Sequence, residues 1–331
     1  MNELFRKLGA GEDSTSYLRS FGIRDAEFFV ARDERVTRWQ VREFEVDLER
    51  RDRQSVLTGR ANVGGDTRSW DMTFEVAQLD GYENLSLGMR VDDVVPREIG
   101  TEFAMLSPLR SLDMPVTAAL NAEMARDGRI TAASGEFILG QGRLFAPWNE
   151  KHPAAIDSGT VRFSYSEQAG RFELKPSTLR WGESRMTLAG EVAAEPRPET
   201  ASQDTPLEWT YTFSTTDVAL AAEDYGLPAI PIDGIGARGR LLAGGKRIII
   251  DAFRVEAADA FIALQGEIED APGAPAVRLS GDISPMPVAF VKLIWPKFVA
   301  PGAREWVGES VHAGSISGGR VDVDIPGGIL H

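Results

Sequence analysis

Apolar and polar residues alternate with a period of two through most of the chain. Val161, Phe163 and Tyr165 alternate with Arg162 and Ser164, and Met186, Leu188 and Val192 with Thr187, Ala189 and Glu191. Successive side chains of a strand point to opposite faces, so these runs predict strands with one apolar side. Between strands fall Asp127-Gly128, Ala169-Gly170, Gly244-Gly245 and Gly318-Gly319, which permit the positive φ angles of tight hairpins. Hairpin following hairpin is the simplest expectation.

The pattern also repeats. A shift of 76 positions, the spacing of Gly190 and Gly266, carries Gly159–Val192 onto Ile235–Ile268 without a gap. Phe172 falls on Ile248, Leu174 on Ile250, Leu179 on Val255, Leu188 on Leu264 and Val192 on Ile268. A looser third copy runs from Ile23 to Ala61, where Leu57 and Gly59 repeat the leucine-x-glycine ending. Internal similarity of this length marks stacked supersecondary units. A further strand follows each copy, at Leu85–Pro96, Trp209–Val218 and Val277–Pro287, ending in Asp and then an apolar residue. Two of these lead into helical spacing: Ile99, Phe103, Leu106 and Leu109 after Pro96, and Phe290, Val291, Ile294, Trp295 and Phe298 after Pro287.

The fold class expected is mainly β: repeated antiparallel hairpin units in an elongated, curved open sheet, a β-groove, with a few short helices. The boundaries read as an N-terminal helix or loop over 1–21, a β unit with helix over 22–113, and a β unit over 114–232 with a long polar loop near 194–206. A β unit with helix over 233–300 follows, then the start of a further unit over 301–331.

Composition narrows the function. A net charge of −14 repels nucleic acid phosphates. Cysteine is absent, which removes disulfides and thiolate chemistry and suits an oxidising compartment. Three histidines, His152, His312 and His331, give little material for a triad or a zinc site, and His152 sits in a polar turn. The Met1–Gly22 stretch has no signal-peptide core, and the longest apolar run, Val288–Val299, is too short to span a bilayer.

Individual motifs have plain structural explanations. Gly234, Gly236 and Gly239 fit G-x-G-x-x-G, but strand-like sequence and a Gly-Gly turn follow where a dinucleotide site needs a helix, so hairpin glycines are expected. Asp322 and Asp324 lack a calcium loop and read as outward positions of a strand. No acid pair stands out for glycoside hydrolysis. No catalytic residue, cofactor or metal is expected, and the chain reads as non-enzymatic.

The segments Leu112–Leu144 and Leu293–Ile325 carry a resemblance. The most specific piece runs Trp295-Pro296, Ala300-Pro301-Gly302-Ala303-Arg304, Trp306-Val307, then Gly314 and Ile316. With the hairpin units, it resembles the YhdP branch of the AsmA-like bacterial envelope proteins, relatives of TamB, from about Gly22 onward. The resemblance implies a periplasmic protein anchored in the inner membrane, with a hydrophobic β-groove carrying phospholipid to the outer membrane. It also implies that this chain is a segment whose anchor lies elsewhere. Its partners would be phospholipid acyl chains, and the parent chain or other envelope proteins at open sheet edges. Phe163, Tyr165, Phe172, Leu174, Leu188 and Val192, with Ile248, Ile250, Ile262, Leu264 and Ile268, are the candidate lining of such a groove. The alternative is a structural or protein-interaction scaffold in which the same stripe closes on a dry core.

Overall fold

A computed structural model describes residues 19–32, 35–51, 54–64, 69–79, 84–102, 104–146, 149–195, 208–222, 225–295 and 301–329. The fold is mainly β, open antiparallel sheet with a few short helices. Two compact units divide it, Met1–Leu144 with Thr160–Gly170, and Phe145–Gly159 with Arg171–His331.

In the first unit the strands are β1 (Ser20–Arg32), β2 (Arg35–Arg51), β3 (Gln54–Gly64), β4 (Ser69–Leu79), β5 (Asn84–Val94), β6 (Leu112–Asp113), β7 (Val116–Ala125) and β8 (Ile130–Leu139). Each long strand pairs antiparallel with the next, β1 through β5, then β7 and β8. The short β9 (Gly142–Ala146) pairs with β6. A helix, Pro96–Glu102, and a 3₁₀ segment, Ala104–Ser111, interrupt the run after β5. The spacing of Ile99, Phe103, Leu106 and Leu109 suggested a single helix. The chain instead doubles back, because Gly100 sits so close to the 3₁₀ backbone that a Cβ there would lie 2.8 Å from Arg110 N. Arg110 Nε donates to Gly100 O at 2.9 Å and locks the reversal.

β10 (Asn149–Ile156) belongs to the second unit, and β11 (Ser158–Ser166), mostly in the first, pairs with β8. The second unit continues with β12 (Arg171–Trp181), β13 (Ser184–Ala194), β14 (Trp209–Ala222), β15 (Leu227–Ile232), β16 (Gly234–Leu242), β17 (Arg247–Ala257), β18 (Ala260–Glu269) and β19 (Ala276–Ile283). The small β20 (Met286–Pro287) and β21 (Ser315–Ile316) pair with each other, while β22 (Gly319–Ile325) pairs with β19. β14 pairs with β13 on one edge, and on the other with β16 along its first half and β15 along its second.

The 76-residue repeat is structural, and it begins earlier than the sequence similarity did. β11 and β16, and β12 and β17, start and stop at corresponding positions. Phe172 faces Val192 as Ile248 faces Ile268, and both hairpins carry their register shift at the same place, Leu174/Ser177 and Ile250/Phe253. Upstream, Ile156 and Ile232 are the buried ends of β10 and β15, at 4% and 5% exposure. Asp157 and Asp233 each accept a turn N–H, from Gly182 and Ala258 respectively, both at 2.6 Å.

Other expectations change. β14 does not stop at Asp217. That residue takes φ 48°, as Asp93 takes φ 58° near the end of β5, and β14 continues to Ala222. Aspartate tolerates this left-handed geometry better than most side chains, and at Asp93 and Asp217 it accompanies a register shift of the strand. Gly234, Gly236 and Gly239 lie inside β16, not at a turn. Gly318-Gly319 does not close a hairpin, since the strands on either side pair elsewhere. His152, expected in a turn, falls within β10. Nearly all of the 1–21 segment, the 194–206 loop beyond Glu195, Phe103, Phe298 and His331 lie outside the described residues.

Candidate functional site

Register places the candidate residues. In the second unit Val192 lies opposite Phe172 and Tyr211, and the row continues through Gly239, Ile250, Gly266, Leu279 and Val323. The adjacent row runs Leu174, Gly190, Phe213, Ala237, Phe253, Leu264, Gly281 and Val321. Ile248 and Ile268 pair on one side of these rows, Ile262 with Val255 and Ile283 on the other. Leu188 sits opposite Ser177 and Thr215 on the same face. Nine of the eleven candidates therefore share one face of this unit, on β12, β13, β17 and β18, and the rows they belong to cross eight strands, about 34 Å at the usual strand spacing.

Phe163 and Tyr165 belong to the first unit. Phe163 stacks on Phe137, with ring centroids 5.8 Å apart, and covers Gly135, where a Cβ would meet its ring at 2.6 Å. Tyr165 follows two positions on, on the same side of β11. The equivalent face of this unit carries rows such as Val46, Gly59, Phe74, Met89 and Leu120.

The reverse faces are charged and carry cross-strand ion pairs. Arg240 pairs with Asp251 at 3.1 Å, Arg162 with Glu136 at 2.6 Å and Arg278 with Glu267 at 2.6 Å. Hydrogen bonding from Arg247, reinforced by Arg278, holds the Glu267 carboxyl below the usual carboxylate range. A strand with paired charges on one side and hydrocarbon on the other fixes which side turns away from water.

Glycines shape the apolar face, a role the sequence pattern hinted at only through its leucine-x-glycine endings. At Gly59 and Gly190 a Cβ would come within 2.3 Å of the Phe74 and Phe213 rings. Each ring thus lies across the glycine of the neighbouring strand. Tyr211 spans Gly239 in the same manner and donates its hydroxyl to Ile249 O at 3.0 Å. Burial, with Asp251 nearby, pushes the Tyr211 phenol up, so it stays a neutral donor. Rings lying over glycines fill the apolar face between strands.

One end of the second unit's face is closed. The helix Val288–Ile294 places Phe290, 5% exposed, against Val218, Ile232, Val255, Ala260 and Met286. The residues that carried the resemblance knit this closure together. Trp295 O accepts from Arg304 Nε at 3.1 Å, and Tyr225 donates to Arg304 O at 3.1 Å from the helix Pro301–Ser310. Val288 N donates to Gly314 O, and Ile316 pairs with Met286. The buried Lys292 caps the last turn of that helix through Gly308 O at 3.0 Å.

Away from this closure the face is not packed shut. All eleven candidate residues are half-buried, none fully buried. The residues of a sandwich core interdigitate with a facing sheet and lose nearly all exposure.

A concavity of about 760 Å³ lies on the polar face of the first unit, with Asp47, Thr58, Arg60, Glu75, Arg90 and Asn121 in its lining. Its cations are engaged, Arg60 with Glu43 at 3.4 Å and Arg90 with Asp92 at 2.7 Å. Among the described residues no cluster of acidic or histidine side chains could hold a metal, and no helix is long and apolar enough to cross a membrane. No protein-family model, curated protein or solved structure matches the chain.

Proposed function

We propose that this chain is a segment of an AsmA-like envelope protein whose apolar β-face holds phospholipid acyl chains on their way between the inner and outer membranes. The observation that carries the reading is the combination of one continuous apolar face per unit, half-buried side chains on it, and a reverse face of paired charges. A half-buried apolar face is costly in water, and apolar surface left open in this way marks binding surfaces in folded proteins. Each methylene placed against it is worth about 0.8 kcal/mol, so a fatty chain binds by area without a specific polar contact. Rows of similar side chains on successive strands offer similar sites, with small barriers between them. No catalytic group is required.

The test is extraction of lipid from the purified chain, read by mass spectrometry, with Leu264→Asp and Ile250→Asp on the apolar face and Thr212→Asp on the polar face. Phospholipid should co-purify with wild type and Thr212→Asp, and fall at least tenfold in the apolar-face variants, with circular dichroism confirming that each remains folded. A lipid-free wild-type protein that also fails acyl-chain photocrosslinking refutes the reading.

The packed cluster around Phe290 favours a second reading, a non-catalytic interaction scaffold. That cluster shows that a helix can cover this face, and a partner helix would do the same along the rest of it.

A further inference from the structure

Two hydrogen-bond donors interrupt the hydrocarbon on the apolar face of the first unit. Trp39 lies opposite Phe28 of β1, and Trp70 opposite Val63 of β3. This register puts both indoles on the side occupied by Phe44, Met72 and Phe74. Trp39 is only 8% exposed. Both indole nitrogens are buried, and neither has a hydrogen-bond partner. An indole N–H can only donate, and a buried donor without an acceptor is destabilising and rare in folded proteins. The one other buried side-chain atom without a partner among the described residues, Asn62 Oδ1, lies on the polar side opposite Asp71.

The two tryptophans stand toward the same end of the strands, near the start of β2 and of β4, where β5 approaches Val94 and the helix Pro96–Glu102 begins. Beyond them the face continues as the hydrocarbon row of Val46, Gly59, Phe74 and Met89. The hydrocarbon around the indoles favours an uncharged acceptor joined to hydrocarbon. A phosphate would demand a cation, whereas a carbonyl between fatty tail and headgroup suits the amphipathic indole.

We propose that Trp39 and Trp70 donate hydrogen bonds to the ester carbonyl oxygens of a diacyl glycerolipid whose tails lie on the apolar face. The inference rests on the lipid reading above and adds the site where the glycerol backbone is recognised. Free fatty acid presents a related acceptor at the head of an acyl chain, so the test separates the two sources.

The experiment uses the full chain labelled with ¹⁵N, its indole resonances assigned through Trp39→Phe and Trp70→Phe. Three probes are titrated below their micelle concentrations: a short diacyl phosphatidylcholine, its dialkyl ether counterpart and hexanoate. The diacyl lipid should shift both indole N–H resonances downfield, and the double variant, folded by circular dichroism, should bind it about tenfold more weakly. Affinity for the ether lipid should be the same in wild type and double variant. Equal ester and ether affinities with unmoved indole resonances overturn the proposal while leaving the lipid reading intact. Resonance shifts with hexanoate but not with the diacyl lipid also overturn it, in favour of a carboxylate. Failure of wild type to bind either lipid defeats the lipid reading itself, and the proposal falls with it.

Discussion

Gly182 and Ala258 occupy the same left-handed turn position in the two copies of the repeat, at φ 52° and 49°. Each donates its backbone N–H to an aspartate two strands back, Asp157 just before β11 and Asp233 just before β16. Glycine takes this geometry freely, whereas an L side chain there costs about 1 kcal/mol. Ala258→Gly should stabilise the protein by about that amount and Gly182→Ala should destabilise it similarly, both measured by urea unfolding. Equal signs for the two substitutions would show that the turns are not equivalent. The aspartates themselves were invisible as a pair in the sequence. Nothing in an isolated Asp says that its carboxylate will reach a turn 25 residues further along.

At the scale of elements, the strands were legible because a one-sided strand writes its burial into a two-residue period. Val161 to Tyr165 and Met186 to Val192 fall in β11 and β13 as expected. The places where that logic failed are those where backbone geometry, not side-chain polarity, decides. Asp217 sits at a register shift of β14 without ending it, and Gly100 folds one helical spacing into two short segments. The helix Val288–Ile294 was foreseen, but its anchorage on the ends of β14, β17 and β18 was not. Its contribution can be tested by Phe290→Ala, which should cost about 3–5 kcal/mol of unfolding free energy through lost burial and the cavity left behind. Hydrogen exchange should quicken first at Val218, Val255 and Met286, the residues against which the ring packs. An unchanged denaturation midpoint would mean that the closure carries little of the unit's stability.

At the scale of the molecule, an apolar face left half-exposed is kept in solution by charge. The chain carries a net charge of −14, and its sequence pI is about 4.8. Self-repulsion fades as pH falls toward that value, while the apolar attraction does not. Sedimentation velocity should therefore show monomer at pH 8 and association near pH 5, and under the proposed function added phospholipid should suppress the association by covering the face. Monomer at both values would mean that the face is already covered. The sequence by itself determined the strand class, the repeat and which side chains share a face, because strand alternation and the leucine-x-glycine endings are local properties carried by neighbouring residues. Only the tertiary structure decided how far that face is covered. It also decided that aromatic rings lie across glycines of the next strand and that two indole donors are left without acceptors. Those outcomes depend on which strands become neighbours and in what register, and residues far apart in the chain meet only once the sheet has formed.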